Sequence, residues 1–433
     1  MDKAGFRSKP TRVRFQILAF LFINVVINYM DRTNIAVAAS SISGELNLNN
    51  FQLGLVFSAF GWTYVASQIP GGILIDKFGP RLLYTITLIS WSVVTLCQGF
   101  IKGFAALFGL RLAIGVFEAP SYPINNRIVT NWFPNNERAS AIAFYTSGQF
   151  IGLAFLTPLL AVVQQYFGWR GLFIITGAVG VFWGIIWYYI YRDPTEHRAI
   201  NQAELDYIAE GAADTKMPAT KANLTWESFK QVFMHRKLWG IYIGQFAVTS
   251  TLWFFLTWFP TYLIKYRGLN FLKTGFLTSI PFLAAFAGVL LAGFFSDYLI
   301  KKGYSFGIAR KTPIIAGLLL STVIVGANYV QSTPLIILFM SVAFFGNGLA
   351  SITWVFVSAL APPNLIGVTG GVFNFIGGLS SIVVPLFIGL LAGGGNFKPA
   401  LIFISSLAFI GALSYIFLVG SVKRSKSLVV SSS

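Results

Sequence analysis

Twelve apolar runs, each about long enough to cross a bilayer as a helix, recur along this chain of 433 residues. They fall at roughly 15–40, 53–75, 83–101, 103–123, 139–162, 171–191, 239–264, 273–296, 312–330, 334–358, 367–392 and 399–420. Only 10% of residues are charged and 55% are hydrophobic, whereas soluble domains carry about 25% charge. The expectation is an all-α membrane protein with twelve transmembrane helices, in which the lipid bilayer replaces the water-excluded core of a globular domain. The single Cys97 permits no internal disulfide.

One long polar stretch, 192–238, separates the sixth run from the seventh. It holds half of all 14 acids and is expected to form a short amphipathic helix around 202–211. The chain therefore divides into a six-helix half at 1–191, a linker at 192–238 and a six-helix half at 239–433. Of the 31 lysines and arginines, 23 lie at the termini and in the even-numbered loops, and six lie in the odd-numbered loops. The positive-inside rule then puts both termini and the linker in the cytoplasm. Most of the net charge of +17 is thus an orientation signal, and nucleic-acid binding is not expected. Basic residues ahead of the first run imitate a secretory signal, but the run is too long and Asp31 and Arg32 interrupt it, so cleavage is not expected. The halves echo each other. Gly72 to Lys77 ends the second run and Gly293 to Asp297 ends the eighth, which suggests duplicated, pseudo-symmetric halves with a substrate site between them near the midplane.

Charge inside the runs points to the chemistry. Asp31 and Arg32 stand in the first run, Arg111 and Glu118 in the fourth. Each costs about 2.5–3.5 kcal/mol on insertion scales, so such residues usually serve a function. Two acid–base pairs among apolar helices point to a proton-coupled carrier of an anion. At about 1.5 Å per residue, Asp31, Arg32, Arg111 and Tyr64 lie about 12–16 Å from the outer helix ends. Glu118 falls about 10 Å further in. The guanidinium fork of Arg32 suits a substrate carboxylate, with permanent pairing to Asp31 as the alternative. Arg111 is expected to pair with Glu118 in one state and with substrate or Asp31 in another. Asp31 and Glu118 are the proton-coupling candidates, because a carboxylate set between burial and an arginine changes protonation when that arginine turns to substrate. His197 and His235 lie in the linker, so a histidine relay is not expected. No metal constellation, phosphate-binding loop or hydrolytic triad is present, which argues against an enzyme and leaves protons as the coupling ion without a cofactor.

Gly72-x-x-x-Asp76-Lys77-x-Gly79-x-Arg81 resembles the signature loop of the major facilitator superfamily, which implies the major facilitator fold and a conformational latch. A plain turn is the alternative. Asn28-Tyr-Met-Asp-Arg-Thr-Asn34, Gln68-Ile-Pro-Gly-Gly72, Phe117-Glu-Ala-Pro120 and Tyr145-Thr-Ser-Gly-Gln149 resemble the anion:cation symporter family within it. Gly244-Gln-Phe246, Trp258-Phe-Pro260, Phe345-Gly-Asn-Gly348 and Gly371-Val-Phe-Asn374 extend the likeness through the second half. The resemblance implies alternating access in a bacterial inner membrane, with import of a sugar-acid anion, D-galactonate foremost. Glucarate, glucuronate or organic-anion exchange are the alternatives, and a channel or sensor is the rival from another class. It also implies substrate contacts from Tyr29, Tyr64, Gln149, Ser351, Thr353, Trp354 and Asn374, with Gln245 the weaker candidate. For an isolated serine or threonine, a bond to its own helix backbone is the ordinary alternative. Trp253 and Trp258 are expected to pack or to sit near the outer interface. The glycine-rich stretch 367–378 serves either close helix contact or rocking. The expected partners are a small organic anion, protons and lipid, around a monomer.

A potential of 100 mV, negative inside, opposes entry of a monoanion by about 2.3 kcal/mol. One proton makes entry electroneutral, and a second makes the potential favourable. Two buried carboxylates therefore lead us to expect electrogenic import with more than one proton per anion.

Overall fold

The computed structural model describes residues 9–213, 230, 232–362, 365–420 and 422. Among them the regular structure is helical, and ten stretches are long and apolar enough to cross a membrane. The first group comprises α1 (Val13–Glu45), α2 (Asn50–Cys97), α3 (Phe104–Glu118), α4 (Ser121–Trp132) and α5 (Asn135–Ile190). The linker contributes α6 (Gln202–Ala213), which matches the short amphipathic helix expected there. The second group comprises α7 (Arg236–Thr257), α8 (Phe271–Lys301), α9 (Phe306–Ser321), α10 (Thr333–Leu349), α11 (Val355–Leu360), α12 (Ile366–Leu391) and α13 (Lys398–Leu413).

Two of the long helices are bent pairs of arms. Helices α2 and α5 each contain two arms joined at a glycine in the left-handed region, Gly79 at φ 70° and Gly168 at φ 68°. Only glycine takes that conformation without strain. At the first joint Pro80 follows directly, where its fixed φ suits a helix start. The helical arms are thus compatible with a twelve-helix fold. Elsewhere side-chain caps set the starts. Asn49 and Gln52 form a reciprocal capping box at α2, and Asn270 accepts the Lys273 N–H at 2.8 Å.

The two groups meet through α2 against α12 and α5 against α8. Gly54 lies against the Pro385 carbonyl and the Gly389 backbone, and Gly61 lies against Ser381. Side chains reinforce the end where α1 passes into α2. Asn50 donates to the Tyr266 hydroxyl at 2.9 Å and to the Ala392 carbonyl at 2.8 Å, and Lys265 donates to Ser43. One apolar core runs through both groups at that end, including Phe57, Trp258 and Phe397. At the opposite end, which carries the start of α1, the second group has a separate core around Ile241, Phe356 and Tyr415. Among the described residues the groups are sealed together by one shared core at the end where α1 passes into α2. Trp258 packs in that seal, edge-on to Phe57, with its indole N–H donated to the Pro385 carbonyl at 3.0 Å, and Trp253 packs beside Phe60.

The linker helix is anchored to the first group. Glu204 accepts the Val13 and Arg14 N–H groups at 3.2 and 3.3 Å, capping α1 from a distant part of the chain. It also binds the Arg14 guanidinium at 3.0 Å, and Arg14 in turn reaches Glu137 at 3.1 Å. Residues 214–229, within the expected linker, lie outside the described residues.

Candidate transport site

The four intramembrane charges converge in one cluster between α1, α3 and the arms of α2. Residues 28 and 32 are one helical turn apart on α1 and share a face. Both use it to hold Glu118: Arg32 Nε donates to Glu118 Oε2 at 2.9 Å, and Asn28 Nδ2 donates to the same oxygen at 2.9 Å. Asp31 points elsewhere, as adjacent helical residues must. Its Oδ2 accepts the Trp91 indole N–H at 3.1 Å. Arg111 lies next to both, its Nη1 3.5 Å from the Asp31 backbone carbonyl.

This arrangement corrects one expectation. Glu118 does not form a separate inner cluster, because the Arg32 side chain leans toward the start of its own helix, the usual direction for long side chains, and closes the gap. In the state described Glu118 pairs with Arg32, and Arg111 lies beside Asp31, one of the two places expected for it. Permanent pairing of Arg32 with Asp31 is absent here.

Aromatic rings hold the Arg32 guanidinium. Its centre lies 4.8 Å from the Phe60 and Tyr64 ring centroids and 5.0 Å from that of Tyr29. Arg111 lies 5.6 Å from the Phe60 centroid. Tyr29 donates to Gln149 Oε1 at 2.8 Å, which ties α5 to the cluster. Several buried polar atoms in this cluster make no hydrogen bond to the protein: Asp31 Oδ1, Glu118 Oε1, Arg32 Nη2, Arg111 Nε and Asn28 Oδ1. Unsatisfied buried polar groups are costly, so their presence in number marks a site built for something besides packing. Free donors on two guanidiniums suit an organic anion, and free oxygens on two carboxylates suit protons.

The second group supplies the neutral candidates. Thr353 donates to Gln245 Oε1 at 2.7 Å, which makes Gln245 better integrated than its sequence suggested. Ser351, Thr353 and Trp354 lie where the helix after α10 tightens over Ala350–Trp354 and departs from helical angles at Ile352. Trp354 is 49% exposed and edge-on to Phe373. Asn374 crosses between the groups to Gln68 Oε1 at 3.0 Å.

For the signature loop, the surroundings of Gly72 and the side chain of Asp76 lie outside what the structure describes. Arg81 donates to the Tyr188 carbonyl at 3.2 and 3.0 Å and stacks on the Tyr188 ring, Gly79 makes the turn, and Lys77 lies over Phe78. In the second group Asp297, at the corresponding place, pairs with Arg310 at 2.9 Å.

Sequence reasoning missed Asn28, Trp91, Phe60 and Gln68. Asn28 had a usable signal, one turn from Arg32 on the same face. Trp91 had none, since a tryptophan in an apolar run reads as packing.

Residues 21–385 match the family described as Major Facilitator Superfamily. The chain is 56% identical over 429 residues to the D-galactonate transporter of Escherichia coli O6:H1 (strain CFT073), spanning 98% of this chain and 100% of that one. It is 41% identical over 427 residues to the probable galactarate/D-glucarate transporter of Bacillus subtilis (strain 168), with 96% and 94% covered. Two solved structures share the fold. A bacterial homologue of the human lysosomal transporter Spinster gives a TM-score of 0.75 at 18% identity, covering 94% of this chain and 96% of that one. The xylose transporter from E. coli gives 0.73 at 14% identity, covering 96% and 98%. The chain belongs to the Major Facilitator Superfamily. It is a multi-pass membrane transporter and not an enzyme, and transport by such proteins needs no cofactor.

Proposed function

We propose that this transporter imports a sugar-acid anion, D-galactonate foremost, together with protons, by alternating access. The observation that carries the reading is the buried pair of Arg32 and Glu118, 2.9 Å apart, with one guanidinium nitrogen and one carboxylate oxygen left unused. A substrate carboxylate arriving at Arg32 competes with Glu118 for the same fork. Displaced, Glu118 has lost its counter-charge in a water-poor site and takes up a proton. Anion binding and proton binding are then one event. Phe60, Tyr64 and Tyr29 keep the guanidinium in place while its partners change. Asp31, held by Trp91 beside Arg111, is the second proton site. The extensive identity to a chain named D-galactonate transporter supports the choice of substrate.

The substrate lies between the groups, with Tyr29, Tyr64, Arg111 and Gln149 contributing from one side and Gln245, Ser351, Thr353, Trp354 and Asn374 from the other. The groups at 1–191 and 239–433 are the two moving units, and 192–238 is their cytoplasmic tether. The charge bias of the loops puts the start of α1 in the cytoplasm of a bacterial cell, across the inner membrane. The sealed end is then outside, and the form described is inward-facing. The Gly72, Asp76, Lys77, Gly79 and Arg81 loop acts as a latch, and the unit is a monomer in lipid.

Uptake of labelled D-galactonate into proteoliposomes tests the reading, with a pH gradient and a membrane potential imposed separately. Accumulation driven by either force alone is the expected result. Accumulation blind to the potential would reduce the coupling to one proton. Uptake of galactarate or glucarate in preference would move the substrate, and exchange without net accumulation would replace symport.

A further inference from the structure

A second polar layer lies behind the charge cluster. Stepping back seven residues from Asp31 on α1 reaches Asn24, and stepping back seven from Trp91 on the second arm of α2 reaches Tyr84. Stepping forward seven from Glu118, through the helical backbone at Ala119 and Pro120 into α4, reaches Asn125. Seven residues are two turns, which returns to the same helix face about 10 Å away. Because α1 and the second arm of α2 run in one direction and α3 and α4 in the other, all three steps lead to the same end, the one carrying the start of α1.

Asn24, Tyr84 and Asn125 are all buried, at 0%, 0% and 1% exposure. The Tyr84 hydroxyl faces the Asn125 and Asn24 amides. It closes a directed hydrogen bond with neither, and Asn24 Nδ2 and Asn125 Oδ1 are also without a protein partner. Asn24 Oδ1 is fixed by the Trp183 indole at 2.6 Å, and the Tyr84 ring lies between Trp91 and Trp187, 6.2 and 5.2 Å away. Asn24 and the Tyr84 ring are thus held in place, and the layer keeps buried donors and acceptors that close no hydrogen bond to the protein. Buried polar groups arranged in this way are characteristically bridged by internal water. Asn28, whose Oδ1 is also unpartnered, stands midway between the layers on α1.

We propose that Asn24, Tyr84 and Asn125 bind internal water and form the inner leg of the proton route from Glu118 and Asp31 to the cytoplasm. This inference rests on the proton-coupled reading above. Each water accepts one proton from the carboxyl side and gives one up on the other, so the layer ends unchanged. Its service is to let protons leave through the first group while the anion leaves between the two.

Tyr84→Phe removes the hydroxyl and keeps the ring. In proteoliposomes, uptake driven by an imposed pH gradient should fall by about a hundredfold, the lower end of what a lost proton-transfer group costs. Counterflow of substrate against substrate, in which the protons stay bound, should remain near wild type. The slowing of driven uptake in D2O should become larger, because proton release now limits the rate. Asn125→Leu should act in the same direction, and thermal melting reports whether either variant is misfolded. Equal loss of driven uptake and counterflow would assign the layer to packing and overturn the proposal, as would driven uptake unchanged in both variants. If the wild-type protein itself accumulates nothing under a proton gradient, the functional reading fails first and the proton route with it.

Discussion

Arg32 Nε donates to Glu118 Oε2 at 2.9 Å, and both side chains are almost sealed from solvent. The bond connects the first transmembrane helix to the fourth, and Asn28 donates to the same oxygen. A buried ion pair gains little net stability, yet breaking it by removing one partner costs about 3–5 kcal/mol. Such a pair is a poor strut and a good switch, because any ligand that supplies a replacement charge alters its balance by a comparable amount.

Glu118→Gln keeps the shape and a hydrogen-bonding oxygen but carries neither the charge nor an exchangeable carboxyl proton. The variant should bind and exchange D-galactonate while losing uphill accumulation. Proteoliposomes loaded with unlabelled substrate measure the first activity, and an imposed pH gradient measures the second. A variant that still concentrates substrate would remove Glu118 from the coupling mechanism.

Arg32→Lys retains the charge but loses the fork. Lysine cannot hold a carboxylate through two parallel bonds, nor stack flat on Phe60 and Tyr64. A charge-assisted hydrogen bond contributes about 1.5–3 kcal/mol, so affinity should weaken by roughly 10–100-fold. Isothermal titration with detergent-purified protein gives this directly. Unchanged affinity would mean that the substrate carboxylate is held elsewhere, with Arg111 the next candidate.

The fold was legible in the sequence because each determinant is local: apolar run length and loop charge. The charged members of the site were legible for the same reason, since a charge in an apolar run stands out without any knowledge of its neighbours. What remained hidden was the pairing. Whether Glu118 meets Arg32 or Arg111 depends on the rotation and offset of two helices 86 residues apart in the chain, which neither helix encodes alone. Trp91 was hidden more deeply, because an indole N–H looks the same in a run of apolar residues whether or not it faces a carboxylate. The second group gave least, since its serines and threonines have backbone bonds available within their own helices, as Ser380 and Ser414 show.

Glu204 makes a prediction about assembly and stability. It accepts from the Thr11 hydroxyl, two backbone N–H groups of the first turn of α1 and the Arg14 guanidinium, and it is fully buried. Glu204→Ala leaves the two backbone N–H groups without that acceptor, although Asn201 still accepts from Thr11 and Glu137 still pairs with Arg14. The loss should be about 2–4 kcal/mol, read as a lower melting temperature, with Glu204→Gln intermediate. Equal melting of Glu204→Ala and wild type would show that the linker helix contributes nothing to holding α1.

The seal at the outer end makes a prediction about conformational balance. Asn50 contributes two hydrogen bonds across the groups, to Tyr266 and Ala392, and each contributes about 1 kcal/mol net. Gly54, one turn on, lies so close to the opposite helix that an added Cβ would fall 2.7 Å from the Pro385 carbonyl oxygen and 3.3 Å from the Gly389 Cα. Both obstacles are backbone and cannot swing aside. Asn50→Ala should therefore weaken the closed outer end by about tenfold or somewhat more, and Gly54→Val should prevent its closure outright. The hydrogen bonds of Asn50 and the nearest obstacles at Gly54 all belong to the opposite group, so both variants should stay folded. Spin labels at Lys102 and Lys273, in a background with Cys97 replaced by serine, report the outer separation through electron–electron distance measurements. A population at longer distance should grow in Asn50→Ala and dominate in Gly54→Val, with transport falling in the same order. Distance distributions identical to wild type in both variants would show that the contact between α2 and α12 does not hold the outer end shut.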